Sequence, residues 1–250
     1  MKKSSPLSRL NSLVPHDRWA SLIGMIYLAL ITNLLLVVAC LPVVALLVTT
    51  DPAYSWPLLA LAAPLAAPGV TAAFRAFREH GAGGLGPVRA FAAGLRDTWR
   101  RALVVGAAVA GVVVILLVDV RMLSNTPAAV VTVPLLGVLA LLAIAVGLVA
   151  LVAIAEVPTA RLRDVLRAAA YLSLRRWYLT ALSLAVLAVQ AAVFAAAPAL
   201  GLGLTASAAL YFAWTNSRYT LRPVLDLDED PAAAGAESAG AGRLPAGARS

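Results

Sequence analysis

"WYLTALSLAVLAVQAAVFAAAPALGLGLTASAALYFAWTNS", residues 177–217, runs for 41 residues without an Asp, Glu, Lys or Arg. A helix crosses the hydrocarbon core of a bilayer with about 20 apolar residues, so the stretch is long enough to cross twice. Pro198, with Gly201 and Gly203 close behind, supplies a turn near its middle. Divided into spans at 178–197 and 199–217, it returns the chain to the side it left. Taken as one span, it would strand the arginines that follow (Arg218, Arg222, Arg243 and Arg249) across the membrane from the rest of the basic residues.

The remainder of the chain has the same character. Of 250 residues, 62% are hydrophobic and 13% charged, and the mean hydropathy is +0.89. Soluble domains average about 45–50% apolar and about 25% charged. Further charge-poor stretches at about 20–50, 52–74, 102–118 and 122–155 predict helices over 20–48, 56–74, 102–120 and 128–155. The fold class expected is therefore all-α: a polytopic bundle of about six transmembrane helices occupying 20–217. A basic arm (1–19) precedes it, and cytoplasmic loops fall at about 75–101 and 156–177. The tail, 218–250, is acidic from Asp226 and then rich in Ala and Gly, a composition expected to be disordered. Pro64, Pro68 and Gly69 predict a kink or break in the second span.

Basic residues set the orientation. The arm carries Lys2, Lys3, Arg9 and Arg18; the first large loop carries Arg75, Arg78, Arg89, Arg96, Arg100 and Arg101; the second carries Arg161, Arg163, Arg167, Arg175 and Arg176. With both termini inside, Arg121 alone lies outside, which is the positive-inside pattern of a bacterial cytoplasmic membrane protein. Trp19, Trp56, Trp99, Trp177 and Trp214 all fall near predicted span ends and are expected to be interfacial anchors. The net charge of +8 is explained by this topology and by attraction to anionic lipid at the inner leaflet, so nucleic acid is not an expected partner.

Two local signals mislead. "LVVAC" (36–40) has the look of a lipobox, but Cys40 is followed by Leu41, Pro42, Val43 and Val44 rather than a polar mature chain. "GAGGLG" (81–86) spells a dinucleotide fingerprint, which requires a strand before it and an acid about 20 residues on. Here "TAAFRAFREH" precedes it, Pro87 follows, and the acid's place falls at Gly106 inside a span. The glycines read as a hinge and helix-entry turn. Beyond them Val88, Phe91, Leu95 and Trp99 recur at helical spacing, predicting an amphipathic helix on the inner membrane surface. "VPTARLRDVLRAAAYLSLRRWYLTAL" (157–182) predicts a counterpart in the second loop.

Asn33 leads the apolar run "NLLLVVACLPVV", and "PGVTAAFRAFRE" (68–79), Phe91, Trp99, Asn216 and Arg218 follow at intervals. In these motifs, over about residues 15–225, the chain resembles the YesL-like bacterial membrane family (domain of unknown function 624). Where that family often has Thr-Ile-Gly-Pro after Leu-Pro-Val, this chain has Ala45-Leu46-Leu47 and reaches Pro68-Gly69 later. The resemblance implies a polytopic inner-membrane protein of a kind often encoded beside carbohydrate uptake systems.

No catalytic or metal-ligating constellation is legible. His16 and His80 have no cysteine or second histidine at ligand spacing, and Asp119 and Glu156 fall at span ends on opposite sides. No ionisable residue lies centrally in a span, which disfavours a proton-coupled carrier. The intramembrane polar candidates are Thr32, Asn33, Thr180, Gln190, Thr205 and Ser207, with Asn33 and Gln190 the sharpest. Either amide is expected to hold the bundle together by interhelical hydrogen bonds. The alternative for Asn33 is a midplane solute site beside the break at Pro64 and Pro68. Small residues recur at intervals of four at Ala102, Gly106 and Ala110, and at Ala199, Gly203 and Ser207, as in closely packed helices.

The function expected is that of a non-enzymatic accessory or regulatory membrane component linked to solute, and by the resemblance carbohydrate, uptake. A small-solute permease is the alternative. Expected partners are the bilayer and the membrane subunits of a sugar transporter, with self-association left open and no cofactor implied.

Overall fold

Long apolar runs without the apolar–polar alternation of a half-buried strand favour helix, and the computed structural model has helices and no strand among the described residues. It describes residues 16–229, with side chains from Ile23 to Arg222 apart from Pro52 and Ala53. Most of the predicted basic arm, the Trp19 side chain and the tail beyond Glu229 lie outside that description. The helices are α1 (His16–Ala39), α2 (Leu41–Thr49), α3 (Pro52–Ala62), α4 (Ala66–Gly81), α5 (Pro87–Leu123), α6 (Ala129–Glu156), α7 (Leu162–Arg175), α8 (Trp177–Ala196) and α9 (Ala206–Glu229).

Four helical runs are long and apolar enough to cross a bilayer: Tyr54–Gly81, Pro87–Leu123, Ala129–Glu156 and Trp177–Ala196. Ile23–Ala39 and Leu41–Thr49 make a fifth if their bent pair is one span. The predicted first span is thus not straight; it turns through 78° at Cys40. Pro42 is the cause. It stands in the first turn of α2, where its missing N–H is tolerated, whereas a continuous helix would need that N–H and would push the ring against the preceding turn.

The predicted break in the second span is milder than expected. Pro64 lies in a 3₁₀ turn, Ala63–Leu65, and Pro68 falls in the first turn of α4, so the helix absorbs both and runs on through Gly69. Gly69 is a seat, not a hinge. A Cβ there would approach Ala39 Cβ to 3.0 Å and Cys40 Sγ to 3.2 Å, so the bend of α1 rests against it.

Helix α4 carries much of the core: Ala72, Ala73, Phe74 and Ala76 are fully buried between α1, α5, α6 and α9. The C-terminal half of α6, from Ala145 to Ala155, packs against it. Helix α5 is one unbroken rod of 37 residues, about 55 Å at 1.5 Å per residue. The amphipathic segment predicted over "PVRAFAAGLRDTWRRAL" (87–103) is its first turns, because no Gly-Pro break separates "RDTWRRALVV" from the span. Its inward face is Ala90, Phe91, Gly94 and Thr98, while Val88 and Trp99 are exposed. A separate helix, α7, follows α6 and buries Val165, Ala169, Leu172 and Ser173.

The predicted sixth span is not one uninterrupted apolar helix. After a turn at Pro198–Leu200 the chain widens into a π-helical segment, Gly201–Thr205, and then enters α9, which continues past residue 217 as far as Glu229.

Candidate functional site

The glycine turn resolves by its hydrogen bonds. Gly83 takes φ +66°, and its N–H donates to the His80 carbonyl (3.2 Å), while Gly84 N–H reaches back to the Glu79 carbonyl (2.9 Å). This pair of bonds is a Schellman close of α4, and Gly86 then caps α5 ahead of Pro87. A helix, not a strand, enters the motif.

Polar side chains within the bundle converge on α9. At its start, Asn33 from α1 is 1% exposed. Its Nδ2 donates to the Gly203 carbonyl (3.0 Å) and its Oδ1 accepts the Ser207 N–H (2.7 Å). Gln190 from α8 donates to the Gly201 carbonyl (2.7 Å), and the Thr205 hydroxyl donates to the same carbonyl (3.3 Å). Both amides singled out by sequence therefore serve one element. A widened turn leaves backbone groups out of the α-helical ladder, and these side chains satisfy them. Gly201 itself fits tightly, since a Cβ there would come within 2.7 Å of Phe194 Cα.

A second cluster lies farther along α9. The side chain of Glu156, the last residue of α6, is 6% exposed. It accepts the Trp214 indole N–H at 2.9 Å and pairs with Arg218 at 3.3 Å. The Arg218 guanidinium also stands over the Trp214 ring, 5.0 Å from its centroid. Trp214 packs beside Phe77 and Tyr211, with centroids 6.0 and 5.5 Å away. Arg78 donates to the carbonyls of Ala155 (2.6 Å) and Glu156 (2.8 Å), placing a cation at the negative end of α6. Arg101 donates to the Pro158 and Ala160 carbonyls and holds the turn into α7. Arg176 donates to the Tyr219 carbonyl (2.6 Å), and Asn216 bonds Ser183 Oγ (2.6 Å). These contacts bring the end of α4, the start of α5, the end of α6, the start of α8 and the latter half of α9 to one end of the bundle.

The predicted aromatic anchors divide accordingly. Trp56, Trp99 and Trp177 are exposed, but Trp214 is 5% exposed and faces the core, where Glu156 satisfies its N–H. A cavity of about 330 Å³ lies near the 3₁₀ turn at Ala63–Leu65, on residues other than the predicted Asn33, Pro64 and Pro68. Its lining side chains, including those of Ala63, Ala67, Val105 and Leu187, are all apolar, and Asn33 is not among them. No group of three potential metal ligands occurs among the described residues.

Sequence reasoning passed over Glu156, Arg78 and Arg218. The charge-derived topology put all three at the same membrane face, which was the available signal; their pairing depends on helix rotation, which charge does not report. No known family, curated protein or solved structure matches this chain.

Proposed function

We propose that the protein is a six-span component of a bacterial cytoplasmic membrane with both termini inside, acting as an accessory or regulatory partner of a solute, specifically carbohydrate, uptake system. The observation that carries this reading is the occupancy of Asn33. The two ends of the most central amide bond the backbone of the π segment and of α9, so the group best suited to a midplane solute site is already committed to holding helices. The α1–α2 pair and the π-interrupted last helix supply the first and sixth spans. The clustering of Arg78, Arg101, Arg176 and Arg218 at one end supports a common inner face. The exposed basic residues of the two inner loops suit anionic lipid at that face. The link to carbohydrate uptake rests on the resemblance carried by the Asn33 and Pro68-Gly69 motifs.

The permease reading is favoured by one observation, the cavity beside the 3₁₀ turn at Pro64. Its lining side chains offer no donor or acceptor, so most hydroxyls of a bound sugar would go unsatisfied. Purification in mild detergent distinguishes the two readings. The accessory role predicts co-purifying transporter membrane subunits and no saturable sugar binding by the isolated chain. Saturable binding by the isolated chain would establish the permease instead.

A further inference from the structure

In a regular α-helix the Ser207 N–H would donate to the carbonyl four residues back, that of Gly203. Asn33 occupies both ends of that one bond. Its Oδ1 takes the Ser207 N–H and its Nδ2 bonds the Gly203 oxygen. The side chain is therefore inserted into the helical ladder, one of the recognised causes of a local departure from α geometry, and the departure observed is the π segment Gly201–Thr205. A π turn accommodates one residue more than the α turn it replaces.

From this we infer that the turn is a two-register joint, and that Asn33 is the positioning residue that sets the rotation of α9. With Asn33 inserted, α9 presents Tyr211, Trp214 and Arg218 to Phe77 and Glu156. With Asn33 withdrawn, Ser207 N–H recovers the Gly203 carbonyl, the turn tightens to α, and everything beyond it rotates by one residue, about 100° at 3.6 residues per turn. The rotation passes to α9 because the other side of the turn is pinned: Gly201 is seated against Phe194, and Gln190 holds its carbonyl. The hydroxyls of Thr32 and Ser207, buried beside the insertion, have no hydrogen-bond partner in the present register. In the tightened one, Ser207 Oγ gains the carbonyl four residues back, a usual partner of a helical serine. The Glu156 cluster thus answers to a residue on α1 that it does not touch.

The test uses the full-length protein in detergent with Trp19, Trp56, Trp99 and Trp177 replaced by Phe, leaving Trp214 as the reporter. Its acrylamide quenching is weak in this parent. Asn33→Leu is expected to raise quenching severalfold with helical circular dichroism unchanged. Deleting Gly203 in the Asn33→Leu background removes the extra residue, so the helix closes as plain α with α9 in its original rotation, and quenching returns to the parent level. Should Asn33→Leu alone fail to fold, the deletion is expected to recover folded protein with a shielded Trp214. Parent-level quenching in a folded Asn33→Leu protein overturns the inference, as does a double variant no better than Asn33→Leu alone.

Discussion

Asn33 was legible as important because an amide in hydrocarbon needs a partner, but its partners were not, since both are backbone groups without a side-chain signature. Intramembrane hydrogen bonds of this kind contribute about 0.6 kcal/mol on average, with a maximum near 1.7. Losing two of them, Asn33→Leu should destabilise the protein by about 1–3 kcal/mol, seen as a lowered melting temperature in detergent. Because Asn33→Leu also releases α9 to rotate, uptake is compared in the variant that additionally lacks Gly203, where it should fall no further than the amount of folded protein does. Trp214 teaches the complementary lesson. Read as an interfacial anchor, it is instead buried, with the Glu156 carboxylate and the Arg218 guanidinium closing around it. Trp214→Phe keeps the packing against Phe77 but removes a hydrogen-bond donor from a buried carboxylate. A cost of about 1–3 kcal/mol follows, against a near-neutral result for Trp177→Phe, whose ring is 70% exposed. Paired melting curves check it.

At the scale of the element, charge-poor stretches located the four long apolar helical runs and the bent first pair, because desolvating a charge is costly wherever the helix begins or ends. They located helix ends poorly for the same reason: charges mark the edge of the bilayer, not the end of a hydrogen-bonded ladder. Helix α5 therefore runs on through Arg96, Arg100 and Arg101, and α9 passes Arg218. Proline position also misled. Pro64 and Pro68 announced a break but fall in a 3₁₀ turn and a first helical turn, whereas Pro42, read as part of an apolar run, sits at the 78° bend. Helix α5 supplies its own control for packing. A Cβ on Gly106 would meet Ala67 Cβ at 2.7 Å and Pro64 O at 3.2 Å, whereas a Cβ on Gly111 meets nothing within 4 Å. Gly106→Val should thus destabilise by about 1–3 kcal/mol through overpacking. Gly111→Ala should stabilise by up to about 1 kcal/mol through helix propensity. Opposite shifts in melting temperature are the expected outcome.

For the whole molecule, hydrogen bonds and ion pairs gather the ends of α4, α5, α6 and α8 and the C-terminal half of α9 at one end of the bundle, where the arginines of both large loops also lie. Within the bundle the central amides bond helix backbone. Under the proposed accessory role, this basic surface faces one side of the membrane and carries the contacts to the partner. In the proposed topology the last stretch crosses the membrane again, despite its π turn, and returns the tail to the side of the basic loops. Reporter fusions after residues 52, 85, 125, 165 and 230 test it most directly. Cytoplasmic signal at 85, 165 and 230, with external signal at 52 and 125, is the predicted result; an external signal at 230 would contradict it.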